Sequence, residues 1–184
     1  MKSTIFFFCL LLIWAGCQHS APESAIGEAP ERQSEETAPT PPIDTALYPL
    51  TDGYYRIDWN LLGKVEFEQK WHDTLNDYIY FPVFHPEIRA FEGKPVEIGG
   101  YVIPFEETQD ERLLVLSAFP FSSCFFCGGA GPESVMDIQL DQSKPGSRRT
   151  WKQDAQISFR GSLRLNDSDV YFLNYILEEA FPAP

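Results

Sequence analysis

The stretch GKPVEIGGYVIPFE, residues 93–106, decides the fold. Val96 and Ile98, then Tyr101 and Ile103, alternate with Glu97 and Val102, which is the period of a β-strand with one buried face. Gly99 and Gly100 interrupt the run. Two glycines inside a strand mark a bulge or a sharp bend, as at the corner of a barrel. A bent strand of this length predicts a sheet that curls rather than lies flat.

The segments around it agree. RLLVLSAF, residues 112–119, is a continuous apolar run of the kind buried on both faces. ESVMDIQL, residues 133–140, alternates Val135, Asp137 and Gln139 with Met136, Ile138 and Leu140. AQISFRGSLRLN, residues 155–166, sets Ile157, Phe159, Gly161, Leu163 and Leu165 on one face, the longest period-two run in the chain. YYRIDWNLLGKVEF, residues 54–67, reads as two short strands, or a strand and a turn. EQKWHDTLNDYIYFPVF, residues 68–84, is ambiguous: Trp71, Leu75 and Tyr78 have helical spacing, yet Pro82 and Pro86 end any helix nearby. DSDVYFLNYILEEA, residues 167–180, predicts a closing helix, capped by Asp167 or Ser168, with Val170, Leu173, Leu177 and Ala180 facing inward. The expected fold is therefore mainly β (α+β): a small curved sheet or OB-like barrel with a C-terminal helix. A half-open sheet with the helix packed on it is the alternative.

The N-terminus follows signal-peptide grammar. Lys2 precedes the apolar run TIFFFCLLLIW, residues 4–14, which is too short for an ordinary membrane span. Ala15 and Gly16 then lead to Cys17, an ending that resembles the lipobox of bacterial lipoproteins. Residues 1–16 are read as the signal peptide and Cys17 as the lipidated first residue of the mature chain. Residues 17–46 hold six acids, one base and no aromatic residue. Such a composition cannot bury enough apolar surface to offset its ordering entropy, so this part is expected to be a disordered, Pro-rich tether. Residues 47–184 form one domain. Gln18 after the lipidated Cys resembles the outer-membrane sorting pattern. The expected location is the bacterial cell envelope, anchored by lipid to the outer membrane and facing the periplasm.

Charge narrows the partners. The chain carries a formal net charge of −13. Phosphate binding requires a basic face, so a nucleic-acid partner is excluded, and adhesion to an anionic lipid surface is disfavoured.

Two cysteines remain once the signal and the anchor are set aside. Cys124 and Cys127 lie in SSCFFCGGAGPES, residues 122–134, flanked by Phe119, Phe121, Phe125 and Phe126. In an oxidising compartment such thiols need a metal, a disulfide or burial. Cys-x-x-Cys is half of a tetrahedral zinc site. His72, His85, Glu133 or Asp137 could complete it, as could a second chain. Each histidine also has a plain reading, His72 as a solvated group and His85 as the filler of a bend. A thiol-redox role is less natural, because glycines and a strand follow the pair and no helix is expected there to activate Cys124. The glycines could equally serve a tight connection between strands. Not all four phenylalanines can face inward from so short a loop, so part of this aromatic group is expected to be exposed and to mark a partner contact. No catalytic constellation is visible.

VEIGGYVIPFE followed by LLVLSAFPFSSCFFCGGAGPESV resembles an uncharacterised family of exported bacterial proteins, a domain of unknown function. The likeness covers roughly residues 92–140 and extends to GSLRLN. Many members of that family carry Gly-Ala-Cys-x-His in the loop. Cys124 matches the family cysteine, and Cys127 stands near the place of the histidine, one zinc-type ligand for another. Some members accompany export or metal-uptake transporters. The resemblance thus implies a non-catalytic, zinc-binding accessory lipoprotein beside an envelope transporter. The other readings are a tethered adaptor for a protein partner and a thiol-redox protein.

Overall fold

The computed structural model describes residues 45–104 and 112–184. Cys17, the signal and nearly all of the tether lie outside the described residues. Among the described residues no helix is long and apolar enough to cross a membrane.

The described elements are, in chain order, β1 (Leu50–Thr51), β2 (Tyr54–Arg56), α1 (Trp59–Leu62), β3 (Glu66–His72), β4 (Asp77–Val83), α2 (Pro86–Arg89), β5 (Pro95–Pro104), β6 (Leu113–Ser117), β7 (Val135–Leu140), β8 (Gln156–Leu165) and β9 (Tyr175–Pro182). Strands β5, β6, β7, β9 and β8 pair in that order, and β8 pairs back onto β5, so the five close into a barrel. The β7–β9 pairing is parallel and the other four are antiparallel. Counted along the barrel alone, the order is first, second, third, fifth, fourth and back to the first, an OB-like arrangement. Closure leaves the barrel strands no free edge between them.

The bend in β5 is where the glycines predict it. Residues 95–101 pair with β8, while residues 101–104 pair with β6. A Cβ at Gly100 would stand 2.5 Å from the Ser117 carbonyl oxygen. Only glycine permits that approach. Gly161 plays the same part on β8, where a Cβ would lie 2.6 Å from the Glu178 carbonyl.

Alternation sorts the side chains. Val96, Ile98, Leu114, Leu116, Met136, Ile138, Phe159 and Leu163 are buried in the main core. Leu61 and Leu62 of α1 and Ile88 of α2, with Phe91 just beyond it, join the same cluster. Asp58 caps α1 by accepting from Leu61 N at 2.9 Å, and His85 caps α2 by accepting from Glu87 N at 3.3 Å. The alternate residues Val115 and Val135 belong to a second, smaller cluster with Ile103 and Cys124.

The C-terminal segment is a strand, not the helix its spacing predicts. The segment predicted as a closing helix is a loop followed by β9, which lies between β7 and β8. The apparent helix cap is a turn organised by Asn166, whose Oδ1 accepts from Asp169 N at 2.9 Å and whose Nδ2 donates to Asp169 O at 2.7 Å. Ladder bonds on both edges satisfy the β9 backbone, and barrel closure overrides a spacing compatible with a helix. Residues 54–67 also differ in detail: Trp59 and Leu61 lie on the four-residue helix α1 rather than on the first of two short strands. The ambiguous segment is a hairpin, β3–β4, in which Trp71 faces Tyr78 directly in the register. The two rings meet edge to face at 5.2 Å, which explains their spacing without a helix.

Candidate functional site: the Cys124–Cys127 loop

The loop joins the second and third barrel strands, β6 and β7. Pro120, with φ fixed near −56°, starts a 3-10 turn over Phe121–Ser123. Cys124 then breaks the turn with extended geometry, and a second 3-10 turn runs over Phe125–Cys127. Gly128, in the left-handed region at φ 73°, ends it. The Cys124 carbonyl accepts from both Cys127 N (3.2 Å) and Gly129 N (3.1 Å). A Cβ on Gly129 would collide with the Ser123 backbone at 2.6 Å, so this fold of the loop demands glycine there. Phe121 N donates to Asp154 Oδ1 at 2.7 Å and ties the loop to residues 141–155. The connection is therefore held by its own backbone bonds and by the Asp154 carboxylate.

The two sulfurs have opposite surroundings. Cys124 is buried against Ile103, Val115 and Val135, with Phe125 and Leu173 packed beside them. It anchors the loop on the barrel. Cys127 is exposed, and neither thiol is in a disulfide. Local desolvation, followed by the charge and hydrogen bond of the adjacent Cys124, pushes the Cys127 pKa above its ordinary value. The 3-10 turn that carries Cys127 N to the Cys124 carbonyl sets the two residues next to each other. The single 3-10 turn after Cys124 is too short to supply a helix dipole, in keeping with the expectation that none activates the pair.

The other predicted ligands stand elsewhere. His72 ends β3, stacks on Phe81 at 6.2 Å between centroids, and accepts from Leu75 N through Nδ1 at 3.2 Å. His85 is occupied as the cap of α2. Glu133 folds back over Gly131 and lies close enough to Tyr175 to help raise that phenol's pKa, although burial of Tyr175 is the larger cause. Asp137 is half-buried on β7, with Oδ2 accepting from Leu173 N at 2.8 Å. Among the described residues, no group of three or more His, Cys, Asp or Glu side chains is placed to hold a metal ion. What the loop offers is two thiols side by side.

The phenylalanines divide as expected. Phe125 packs inward, while Phe119 and Phe126 are 46% and 45% exposed and Phe121 is exposed beside them. They form an apolar rim on the same short loop as Cys127. Sequence reasoning missed a second feature, an aromatic hairpin flanked by the 166–174 loop. Its signal, the run of Trp71, Tyr78 and Tyr80, was masked by the ambiguous periodicity.

Fold and site together define a small β-barrel domain of OB-like order with a preformed dithiol loop. The chain matches no family model and none of the curated proteins. Among solved structures it is similar to the crystal structure of a DUF3299 family protein from Pseudomonas aeruginosa PAO1, with a TM-score of 0.41 and 10% identity, over 71% of this chain and 97% of that one.

Proposed function

We propose that this chain is a lipid-anchored envelope protein, tethered through Cys17, that contributes half of a zinc site to a complex with a partner beside an envelope transporter. The observation that carries this reading is the placing of Cys124 and Cys127 one 3-10 turn apart on a loop whose backbone is already fixed. Zinc prefers four ligands in tetrahedral geometry, and thiolates are among its strongest. The loop supplies two. The remaining two come from a partner chain, either a second copy or the transporter. The exposed side at Cys127 is where they would enter, and the Phe119, Phe121 and Phe126 rim suits the apolar contact that would bring the chains together. Binding would release both thiol protons, so affinity would fall as the pH falls.

The test is the metal content of the full chain, purified in detergent without a His tag, alongside Cys124→Ser and Cys127→Ser. About half a zinc per chain, lost in both variants and accompanied by dimerisation, supports a site shared between copies. About one zinc per chain, appearing only with the co-purified transporter, supports the hetero-complex. No zinc after reduction and loading, with or without partner, overturns the reading. The exposed phenylalanines favour a second reading, a tethered adaptor without metal. It predicts a partner lost on Phe119→Ala or Phe126→Ala but kept in both cysteine variants.

A further inference from the structure

The β3–β4 hairpin stands apart from the barrel sheet as its own two-stranded sheet. Between β4 and the 166–174 loop runs a groove of about 310 Å³, with Leu75, Ile79 and Phe81 on one side and Asn166, Asp169 and Phe172 on the other. It adjoins a second hollow of about 340 Å³ beneath His72 and Tyr171. Tyr80 at 67% and Tyr171 at 84% exposure are the most open aromatic rings among the described residues. Asn166 braces the loop wall from within. The Asn166 amide also donates to the carbonyls of Phe172 and Leu173, both at 3.1 Å.

Two properties of this groove specify an occupant. The first is an open strand edge. β4 pairs with β3 and with no other described strand, and the groove is lined by residues of β4 but none of β3. The edge that faces the groove therefore offers an extended segment chiefly carbonyl acceptors, because Pro82 has no N–H and Tyr78 N already donates to Asp77 Oδ1 at 2.7 Å. The second is charge. The hairpin carries Glu66, Glu68, Asp73 and Asp77 against Lys70 alone, and the loop carries Asp167 and Asp169 with no base. Lys70 pairs with Glu68 at 3.2 Å, and Arg89 pairs with Asp167 at 3.7 Å. Glu66, Asp73, Asp77 and Asp169 have no cation within 4 Å among the described residues. A second copy of this chain would bring the same negative charges to the same edge and be repelled. A lysine- or arginine-bearing strand would meet Asp169 and Tyr80 in the groove and Tyr171 in the adjoining hollow, with the other acids carried on the same hairpin and loop.

We infer that this groove receives an extended, positively charged segment of another protein, added as a strand to the open edge of β4. The site is separate from the cysteine loop and does not depend on metal. Alternate side chains of the bound strand would point toward the aromatic walls and toward the acids, because a strand displays its residues to two faces in turn.

Calorimetric titration of the full chain tests this with a peptide of three Lys-Val-Lys-Thr repeats. Two controls are the Glu-for-Lys peptide and a peptide with Pro at every other position, which lacks the backbone donors. The variants are Asp77→Asn with Asp169→Asn, which keep the acceptor oxygens that cap Tyr78 N and Tyr171 N. Tyr80→Ala and Tyr171→Ala are added at open positions where folding is not at stake. The lysine peptide should bind, the glutamate and proline peptides should not, and the double Asn variant should weaken binding by about tenfold. Absence of lysine-peptide binding overturns the inference. So does equal binding by the glutamate peptide, or affinity unchanged in both the Asn and Tyr variants. Self-association that disappears in Tyr80→Ala would assign the edge to a second copy and equally overturn it.

Discussion

Arg160 Nε donates to Glu97 Oε2 at 2.7 Å, between residues that face each other in the β5–β8 register. Both side chains are about 10% exposed. The guanidinium also reaches Asp52 at 3.0 Å and lies 5.1 Å from the Tyr54 ring centroid, so β8 is clasped to the segment around β1 and β2. Arg56 adds a longer contact to Glu97 at 3.4 Å. Removing Arg160 leaves the enclosed Glu97 carboxylate with only the longer contact to exposed Arg56. Arg160→Met should therefore lower unfolding stability by about 2–3 kcal/mol, less than for a wholly enclosed pair because Asp52 and Arg56 face water. Urea denaturation measures this. A change below about 0.5 kcal/mol would show that the pair is solvent-screened.

Gly100 and Gly161 should be intolerant of even one methyl group. At both positions the obstacle is backbone, the Ser117 and Glu178 carbonyl oxygens, which cannot swing aside as a flexible side chain would. Gly100→Ala and Gly161→Ala should each cost about 2 kcal/mol or more, through displaced strands and an opened barrel seam. Gly53 is the control. Its φ is 83° but nothing lies within 4 Å of a Cβ, so Gly53→Ala should cost only the left-handed backbone strain, about 1 kcal/mol. Equal losses at all three would mean that sterics at the bend do not set the barrel.

These residues also show what was readable in advance. The bend at Gly99–Gly100 and the alternation along β8 are local patterns, and both are present as read. The order of barrel strands is not local. β9 reads as a helix because Leu173, Leu177 and Ala180 fit a helical spacing, and only its pairing with β7 and β8 shows otherwise. Glu97 and Arg160 are 63 residues apart, and nothing in either neighbourhood names the other. The Cys124–Cys127 pair was legible because its chemistry lies within four residues. The groove was not, since its walls come from residues 75–82 and 166–174 and appear only once the chain has folded.

Asp137 gives the fold a testable pH dependence. Burial raises its pKa above the ordinary carboxylate value, and this outweighs the Leu173 N–H bond and the nearby Arg164, which act to lower it. The folded state therefore holds the proton more tightly than the unfolded chain. This favourable contribution is complete below the unfolded pKa, about 3.9, and is lost as the pH rises through the higher folded value. Asp137→Asn retains an acceptor for Leu173 N and cannot ionise. Relative to wild type it should melt at a similar temperature near pH 3 and at a higher one near pH 7. Melting curves across that range decide it, and a variant less stable at neutral pH would refute the assignment.

Cys127 should be a slow nucleophile despite its exposure. The thiolate is the reactive form, and the raised pKa keeps most of the thiol protonated at neutral pH. Under reducing conditions, iodoacetamide should label Cys127 more slowly than an unshifted thiol, while Cys124, enclosed by Ile103, Val115 and Val135, should resist labelling until the protein unfolds. Cys124→Ala removes both the neighbouring charge and the sulfur hydrogen bond, so it should speed Cys127 labelling and move its pH midpoint downward. Mass mapping of the 118–134 peptide against time and pH reads both sites at once. Fast labelling of Cys127 that Cys124→Ala leaves unchanged would mean that the sulfurs do not sense each other. The preformed pair on which the zinc reading rests would then be lost.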